Sequence, residues 1–518
     1  MKSSASAINE NNRRFILFYF LIIFAGCLTG LITCLVTGMQ IKWFVVYLFA
    51  ILFFLAFTLT KRPKKFALGF FIFSIPFFIG KQIISSGYQL NTGGPSSLGI
   101  FLYDIPLLLL LVYFVAEKVQ NRDSAFYLPS VFYPLAFTII WGFITFVNSV
   151  EPMLTIIETI WLCKMAVILI IMTNLVQDKK DLIFVLTILI AGLFIQEIVT
   201  FTQAYFQKWF TFTGDVERST FLEGSHADVF RAGGTVGPHN VQSAYYVLLI
   251  PLASGLCFSC KKNIVRFVLL PIILSGIFAL IMTYSRNGYV SFIIAMTAFV
   301  LLAWHKNFIT RHHIILGVCG ITVASLIIFT LFGDNLIARI RSTAAIGPRL
   351  EGMEIALNMV RHHPFIGVGL NNFSVAMSDV NYSPEGLSAM QQTYFGGEFI
   401  RTAVHNKFLL VASQTGLIGF CLFMWMLYII YSYAAKLLKV QSRFYGGIGI
   451  GMIAAMIGAS IQMLFDIYNS DLLITIFWVL VSIIFISHKL HSQEGKGALR
   501  GRPLLRQALR GDCCERSY

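Results

Sequence analysis

The chain is cut into long apolar runs by short charged segments. Fourteen runs can be traced, at 15–37, 41–60, 66–80, 98–116, 128–147, 154–176, 182–204, 240–260, 265–284, 288–304, 314–332, 405–434, 445–465 and 471–487. A helix that crosses a bilayer needs about 20 mostly apolar residues. Unpaired backbone groups are not tolerated in hydrocarbon, so such runs have to form helices or be covered by protein. Composition agrees: 57% of the 518 residues are hydrophobic and 12% are charged, roughly half the charged share of a soluble chain. The expectation is an all-α polytopic membrane protein with about fourteen transmembrane helices. Run 66–80 is short and is expected to be partly re-entrant. The first run starts at Phe15 and has no clear cleavage site after it, which predicts a retained span rather than a signal peptide.

The net charge of +15 does not point to nucleic acid. The Lys and Arg residues fall between the runs, at 61–65, 117–122, 177–181, 261–266, 305–313, 436–443 and in the tail from His488. If the spans alternate, these segments and Arg13-Arg14 share one side, which the positive-inside rule makes cytoplasmic. Both termini are then cytoplasmic. The loops 205–239 and 333–404 face outward. The chain divides into an N-terminal segment 1–14, N-terminal spans 15–204, a core 205–487 and a disordered tail 488–518. Seven of the nine cysteines lie in or beside apolar runs, and neither outer loop holds one, so no disulfide framework or cysteine metal site is expected.

Arginine on the outer side runs against the charge bias, and this topology places Arg218, Arg231, Arg286, Arg339, Arg341, Arg349, Arg361 and Arg401 there. A guanidinium matches phosphate oxygens with a planar fork and keeps its charge at physiological pH. Taken singly, each is more readily explained by lipid headgroups or acidic loop residues. Arg286, in TYSRNG, is held at the interface by a very short connection. Arg349 opens RLEGMEIALNMVR, where Leu350, Met353, Leu357 and Val360 recur at helical spacing. That pattern predicts an amphipathic outer helix near the membrane surface. The following GVGLNNF is turn-rich and is expected to fold back over a cavity.

His405-Asn406 stands at the mouth of an apolar run, followed nine residues later by Gly416 and Gly419, which are expected to admit a neighbouring helix. A lone histidine at a helix start is more often structural, but a neutral imidazole can also take a hydroxyl proton. The segment RAGGTVGPHN, from Arg231 to Asn240, is expected to present free backbone N–H groups to an anion at a helix start. Asp104, Glu158 and Glu197 fall in the outer halves of their runs, either lining a polar cavity or pairing with Lys164 or Lys81. His, Cys and carboxylate spacing suggests no metal site, and no cofactor is expected.

Four segments in order carry a resemblance: RxxGTxGPHN at 231–240, SRNG at 285–288, RLEGMEIALNMVRHHPFIGVGLNNF at 349–373, and HNx9GLIG at 405–419. Together they resemble the O-antigen ligase and polymerase superfamily, over roughly residues 230–470. The resemblance implies a GT-C-like fold in a bacterial inner membrane, with the active site facing the periplasm. It implies transfer of a glycan from undecaprenyl diphosphate to another glycan or to lipid A core. By the same resemblance Arg286, Arg349 and His405 are the catalytic residues. Arg231, His239, Asn240, Arg401 and Asn406 are candidates for binding substrate. Arg349 is followed four residues on by Met353, where the ligase pattern has Leu. With the high span count, this leans toward a polymerase. Implied partners are the lipid-linked glycan, its acceptor, membrane lipids and other polysaccharide assembly proteins, with no nucleic acid. The rival reading is a lipid-linked oligosaccharide flippase or other transporter. Transporters often carry internal repeats, and none is evident here.

Overall fold

The structure, a computed structural model, describes residues 61–85, 97–120, 126–209, 230–260, 262–310, 346–383, 393–395, 398–400 and 403–511, with a few isolated positions besides. Runs 15–37, 41–60 and 314–332, most of loop 205–239, and Arg218, Arg339, Arg341 and Arg401 lie outside these residues, apart from isolated positions. The described elements begin with α1 (Pro63–Ser74), the antiparallel hairpin β1 (Gly80–Ser85) and β2 (Ser97–Phe101), α2 (Asp104–Gln120) and α3 (Phe132–Ile144). Next come α4 (Pro152–Leu175), α5 (Lys179–Phe206), α6 (His239–Ser259), α7 (Asn263–Met282) and α8 (Arg286–His305). The outer region holds α9 (Ile346–His362), the single turn α10 (Phe373–Ala376), and the hairpin β3 (Thr393–Phe395) and β4 (Glu398–Ile400). The chain then forms α11 (Lys407–Leu438), α12 (Arg443–Phe465) and α13 (Asp471–Gly511).

Among the described residues, eight helices are long and apolar enough to cross a membrane: α4 to α8, α11, α12 and the first part of α13, Asp471–Glu494. Their outward faces carry exposed large apolar side chains such as Leu108 of the neighbouring α2, Phe267 and Ile293. That is the pattern expected where lipid replaces water as solvent. Run 66–80 differs from the fourteen-span expectation. Its helix α1 has 12 residues, about 18 Å of rise against a hydrocarbon core of about 30 Å. Pro76 follows directly, and the chain turns into β1 instead of continuing.

The centre of the bundle is the pair α6 and α12. Small residues let their backbones touch: a Cβ added at Gly255 would lie 2.2 Å from the Gly447 carbonyl oxygen, and one at Gly451 would lie 2.7 Å from that of Pro251. Close approach of this kind is the main source of helix association where no hydrophobic drive separates protein from lipid. Both helices are buried over most of their length.

Run 405–434 is not one straight span. Gly416 has φ +66° and ψ −176°, which interrupts α11. The rings of Phe408 and Phe423, fifteen positions apart, approach to 5.7 Å, whereas a straight helix would separate those positions by about 22 Å. The arm Lys407–Thr415 therefore folds against the arm that follows.

The break is filled by the outer loop. The Val368 and Gly369 N–H groups donate to the Ser413 and Gln414 carbonyls, both at 3.0 Å, and Leu417 N–H donates to Pro364 O at 2.7 Å. Trp141 Nε1 donates to Thr415 O at 2.8 Å. Backbone groups freed by the kink are thus paired again, as burial requires. The sequence suggested a neighbouring helix at Gly416; what enters is extended backbone from 364–369, with Phe365 O only 2.1 Å from where a Cβ would sit. Gly419 does face a helix, through Trp141 of α3.

The last helix, α13, runs on from its span to Gly511. Extending an existing helix carries no nucleation cost. The outer helix is present as α9, but its buried face is Gly352, Ile355, Ala356 and Met359, while Leu350 and Leu357 are exposed. Leu350, Glu354, Leu357 and Arg361 form one outward stripe at helical spacing, mixing apolar and charged residues as an interfacial face does.

Candidate functional site

A small apolar cluster assembles the site. Ile355, Ala356 and Met359 of α9 pack with Val368, Phe373, Met377, Val404 and Ile467. Full burial of such side chains contributes about 1.5–3 kcal/mol each. Val404 precedes His405, Ile467 follows Asp466, and Arg349 lies at the start of α9. Packing the apolar neighbours therefore brings the three ionisable groups together from distant parts of the chain. The charges of Arg349 and Asp466 both act on His405.

The docked GVGLNNF segment fixes the height of this cluster. Asn372 Oδ1 accepts from Glu151 N–H at 2.7 Å, and its Nδ2 donates to Thr155 Oγ1 at 3.0 Å. Leu370 N–H donates to Thr145 Oγ1 at 3.1 Å, and Asn148 Nδ2 donates to Gly367 O at 3.0 Å. The segment is thus pinned to the turn between α3 and α4 and packs down rather than arching over open space.

His405 itself is partly buried, and its Nδ1 meets no hydrogen-bond partner among the described residues. The same holds for Arg349 Nε and the Tyr468 hydroxyl. A buried polar atom without a partner is costly, and several close together mark a place prepared for something else. Burial pushes the His405 imidazole below its ordinary value and Arg349 adds to that, while Asp466 opposes both. The Asp466 carboxyl is pushed up by burial, against the pull of His405, of the Ile467 N–H and of Arg349. Tyr468 has a positive φ of 52°, as does Tyr284 at 48° in the short connection before α8. Strained backbone of this kind collects at functional sites.

Of the other candidates, Asn406 adjoins His405 and Arg401 lies outside the described residues. Asn406 caps α11, its Oδ1 accepting from Leu409 N–H at 3.0 Å. Arg286 is the first residue of α8, behind the cap Ser285. The next residue, Asn287, donates from Nδ2 to Gln462 O at 3.2 Å, one turn before Asp466 on α12. Arg231 donates to the carbonyls of Thr283 and Tyr284, and to Asn240 Oδ1 at 3.4 Å. Asn240 Oδ1 also accepts from Ser285 Oγ at 3.0 Å. The two motifs 231–240 and 285–288 are thus one unit, with Arg231 and Asn240 clasping the turn that presents Arg286. His239 is buried at the start of α6.

The glycine-rich loop does not offer the free N–H groups its sequence suggests. Gln203 Oε1 accepts from Gly233 and Gly234, at 3.2 and 2.8 Å, and Gln196 Oε1 accepts from Thr235 at 3.0 Å. Two glutamines inside the apolar run of α5 take the place of an anion.

The carboxylates within the bundle divide. Asp104 pairs with Lys164 at 3.6 Å, and Lys164 also meets Asp471 at 3.1 Å. Asp471 accepts from Tyr103 at 2.6 Å and from Trp161. Glu197 accepts from Ser275 Oγ at 2.5 Å. Glu158 is buried, with Oε2 unpartnered among the described residues. No group of three His, Cys, Asp or Glu able to hold a metal occurs among the described residues.

The model of the O-antigen ligase family matches residues 270–424. That match supports a place for the chain in the O-antigen ligase and polymerase superfamily, as the four motifs implied. A search of curated proteins found no match. The segment matched to the O-antigen ligase family contains Arg286, Arg349 and His405 but stops short of Asp466, which geometry alone adds to the site. Asp466 lies in DIYNSD, a polar break between two apolar runs. TYSRNG has the same character, and the signal that singled out Arg286 was present here as well.

Proposed function

We propose that the chain is a GT-C-type glycosyltransferase that moves a glycan from undecaprenyl diphosphate to an acceptor hydroxyl. The observation that carries this reading is the convergence of Arg349 Nε and His405 Nδ1, both unpartnered among the described residues, beside Asp466. His405 takes the proton from the acceptor hydroxyl. The oxygen forms its bond to the anomeric carbon as the bond to the diphosphate breaks, and the diphosphate leaves with the electron pair. Arg349 and Arg286 stabilise that growing charge, the effect that usually contributes most to such a step. Asp466 stabilises the imidazolium. Attack from the side opposite the leaving group inverts the anomeric configuration.

The positive-inside bias of the basic segments supports cytoplasmic termini and a site on the periplasmic face of a bacterial inner membrane. Arg231, His239, Asn240, Arg401 and Asn406 support substrate binding, Arg231 and Asn240 through the turn that holds Arg286. Met353 after Arg349 favours a polymerase, for which the acceptor is a second lipid-linked repeat, over a ligase acting on lipid A core.

Purified protein in nanodiscs, given a polyprenyl-diphosphate oligosaccharide and an acceptor in excess EDTA, should form the transferred glycan with inverted configuration. His405→Ala should abolish it. Movement of the donor across a vesicle bilayer without any transfer would instead favour the flippase reading.

A further inference from the structure

Two charged side chains near His405 take no part in the transfer step. Glu158 lies nearly two turns inside α4, within an apolar span, and is 6% exposed. A carboxylate in such a place is costly and is kept for a purpose. Lys407 is the first residue of α11, two positions after His405, and is half-buried. A cation at a helix N-terminus opposes the helix dipole, so Lys407 does not stand there for the sake of α11. The charges of Glu158 and Lys407 act on each other.

The two do not satisfy one another. Among the described residues, Glu158 Oε2 meets no hydrogen-bond partner and closes no ion pair with Lys407. Lys164, further along α4, is taken by Asp104 and Asp471. Glu158 stands one turn from Thr155, whose hydroxyl donates to Leu370 O at 2.8 Å, so it lies on the side of α4 that meets the docked GVGLNNF segment. Two more buried polar atoms at this segment are unpartnered among the described residues, Asn371 Oδ1 and Gln414 Nε2. Gln414 follows Lys407 by about two turns, and its carbonyl accepts from Gly369 N–H at 3.0 Å.

Such a pair suits a neutral polyol. A carboxylate accepts from a hydroxyl and an ammonium donates to one, so the two fit different hydroxyls of one sugar ring. The charge of Asp471 also acts on Glu158, and two carboxylates disfavour a diphosphate in the same place. We propose that Glu158 and Lys407 hold the acceptor sugar by two ring hydroxyls other than the one that attacks, and so determine which hydroxyl His405 deprotonates. Glu158 accepts from one and Lys407 donates to the other. This role rests on the transfer reading above. A site built this way rejects an acceptor that lacks the hydroxyl, because the buried carboxylate is then left unpaired.

The test uses the full chain in nanodiscs, with the polyprenyl-diphosphate oligosaccharide as donor. The acceptors are the parent glycan and those of its monodeoxy forms that keep the attacking hydroxyl. The wild type should use one monodeoxy form roughly 100-fold less well in kcat/KM, the scale of a lost hydrogen bond to a buried charge. Glu158→Gln should raise the KM for the parent acceptor roughly ten-fold, leave the donor KM in place, and cut the discrimination to roughly ten-fold. Lys407→Gln should do the same for a different monodeoxy form. Where Glu158→Gln does not fold, Lys407→Gln and the wild-type preference among the monodeoxy forms carry the test. Equal use of all these forms by the wild type would overturn the proposal. So would an unchanged preference in folded Glu158→Gln, which would leave a buried water on Oε2. A rise in the donor KM alone would put the pair on the diphosphate and overturn it as well. No transfer to any acceptor by the wild type would overturn the transfer reading itself, and this role with it.

Discussion

Asp466 and His405 each favour the charged form of the other, although 61 positions separate them in the chain. Asp466 ends α12, and His405 precedes the α11 cap. Their apolar neighbours Ile467 and Val404 share one cluster with α9. The pairing resembles the base and orienting carboxylate of many hydrolytic and transfer sites, where the acid holds the imidazolium that forms during the reaction.

This pairing has a pH signature. Burial and Arg349 lower the His405 value, so the imidazole is neutral and able to accept a proton at neutral pH. The acid limb of kcat/KM should fall below the ordinary histidine value, about 6.5. Asp466→Asn removes the influence that opposes the lowering. The limb should then move further toward acid while the plateau drops about ten-fold or more. A limb that stays in place or moves toward alkali in Asp466→Asn would show that the carboxylate does not act on His405.

The arginines are expected to act through their geometry as well as their charge. Arg349→Lys keeps the charge but loses the planar fork and the Nε–H that is unpartnered among the described residues. Activity should fall by roughly 100-fold, the scale of losing one donor to a developing anion, with normal membrane insertion. Arg286→Lys should behave in the same direction. Wild-type turnover in the double Arg→Lys variant would leave only loose charge, or place both residues outside the chemistry.

Gly416 provides a structural test. Its φ and ψ lie in a region that is essentially glycine's alone, and a Cβ would meet the Phe365 carbonyl. Gly416→Ala should lower the thermal midpoint by several degrees and remove activity by displacing the His405 arm. Gly347→Ala, where an added Cβ meets nothing within 4 Å, should be much milder. Equal tolerance at both positions would mean that the break is not required.

Sidedness can be read by labelling. Cysteine introduced at Leu357, on the exposed stripe of α9, should react with an impermeant reagent in intact cells. Cysteine at Lys439 should react only after permeabilisation. The reverse pattern would place the site on the cytoplasmic side.

Much of this was legible in the residues, for reasons that also explain what was not. Apolar runs and basic gaps locate helices because bilayer thickness and charge bias act on every span alike. Arg349 and His405 stood out because charge beside a membrane is costly. Gly416 read as a point of helix contact, since hydropathy is blind to backbone angles and the run through it is uninterrupted. Gln196 and Gln203 were lost inside an apolar run, although they satisfy the glycine-rich loop. Asp466 did not stand out in the sequence, because its partners lie on α9 and ahead of α11 and only folding brings them near.

The broken helix has a further consequence. A kink usually gives a helix freedom to swing, but here four hydrogen bonds from the outer loop and Trp141 close the gap. The His405 arm therefore behaves as a bracket welded to its support rather than as a gate. Its angle to the bilayer is set once, when the chain folds. With His405 as the proposed base, substrates must come to a group that does not travel, and any rearrangement during turnover has to be made elsewhere in the molecule.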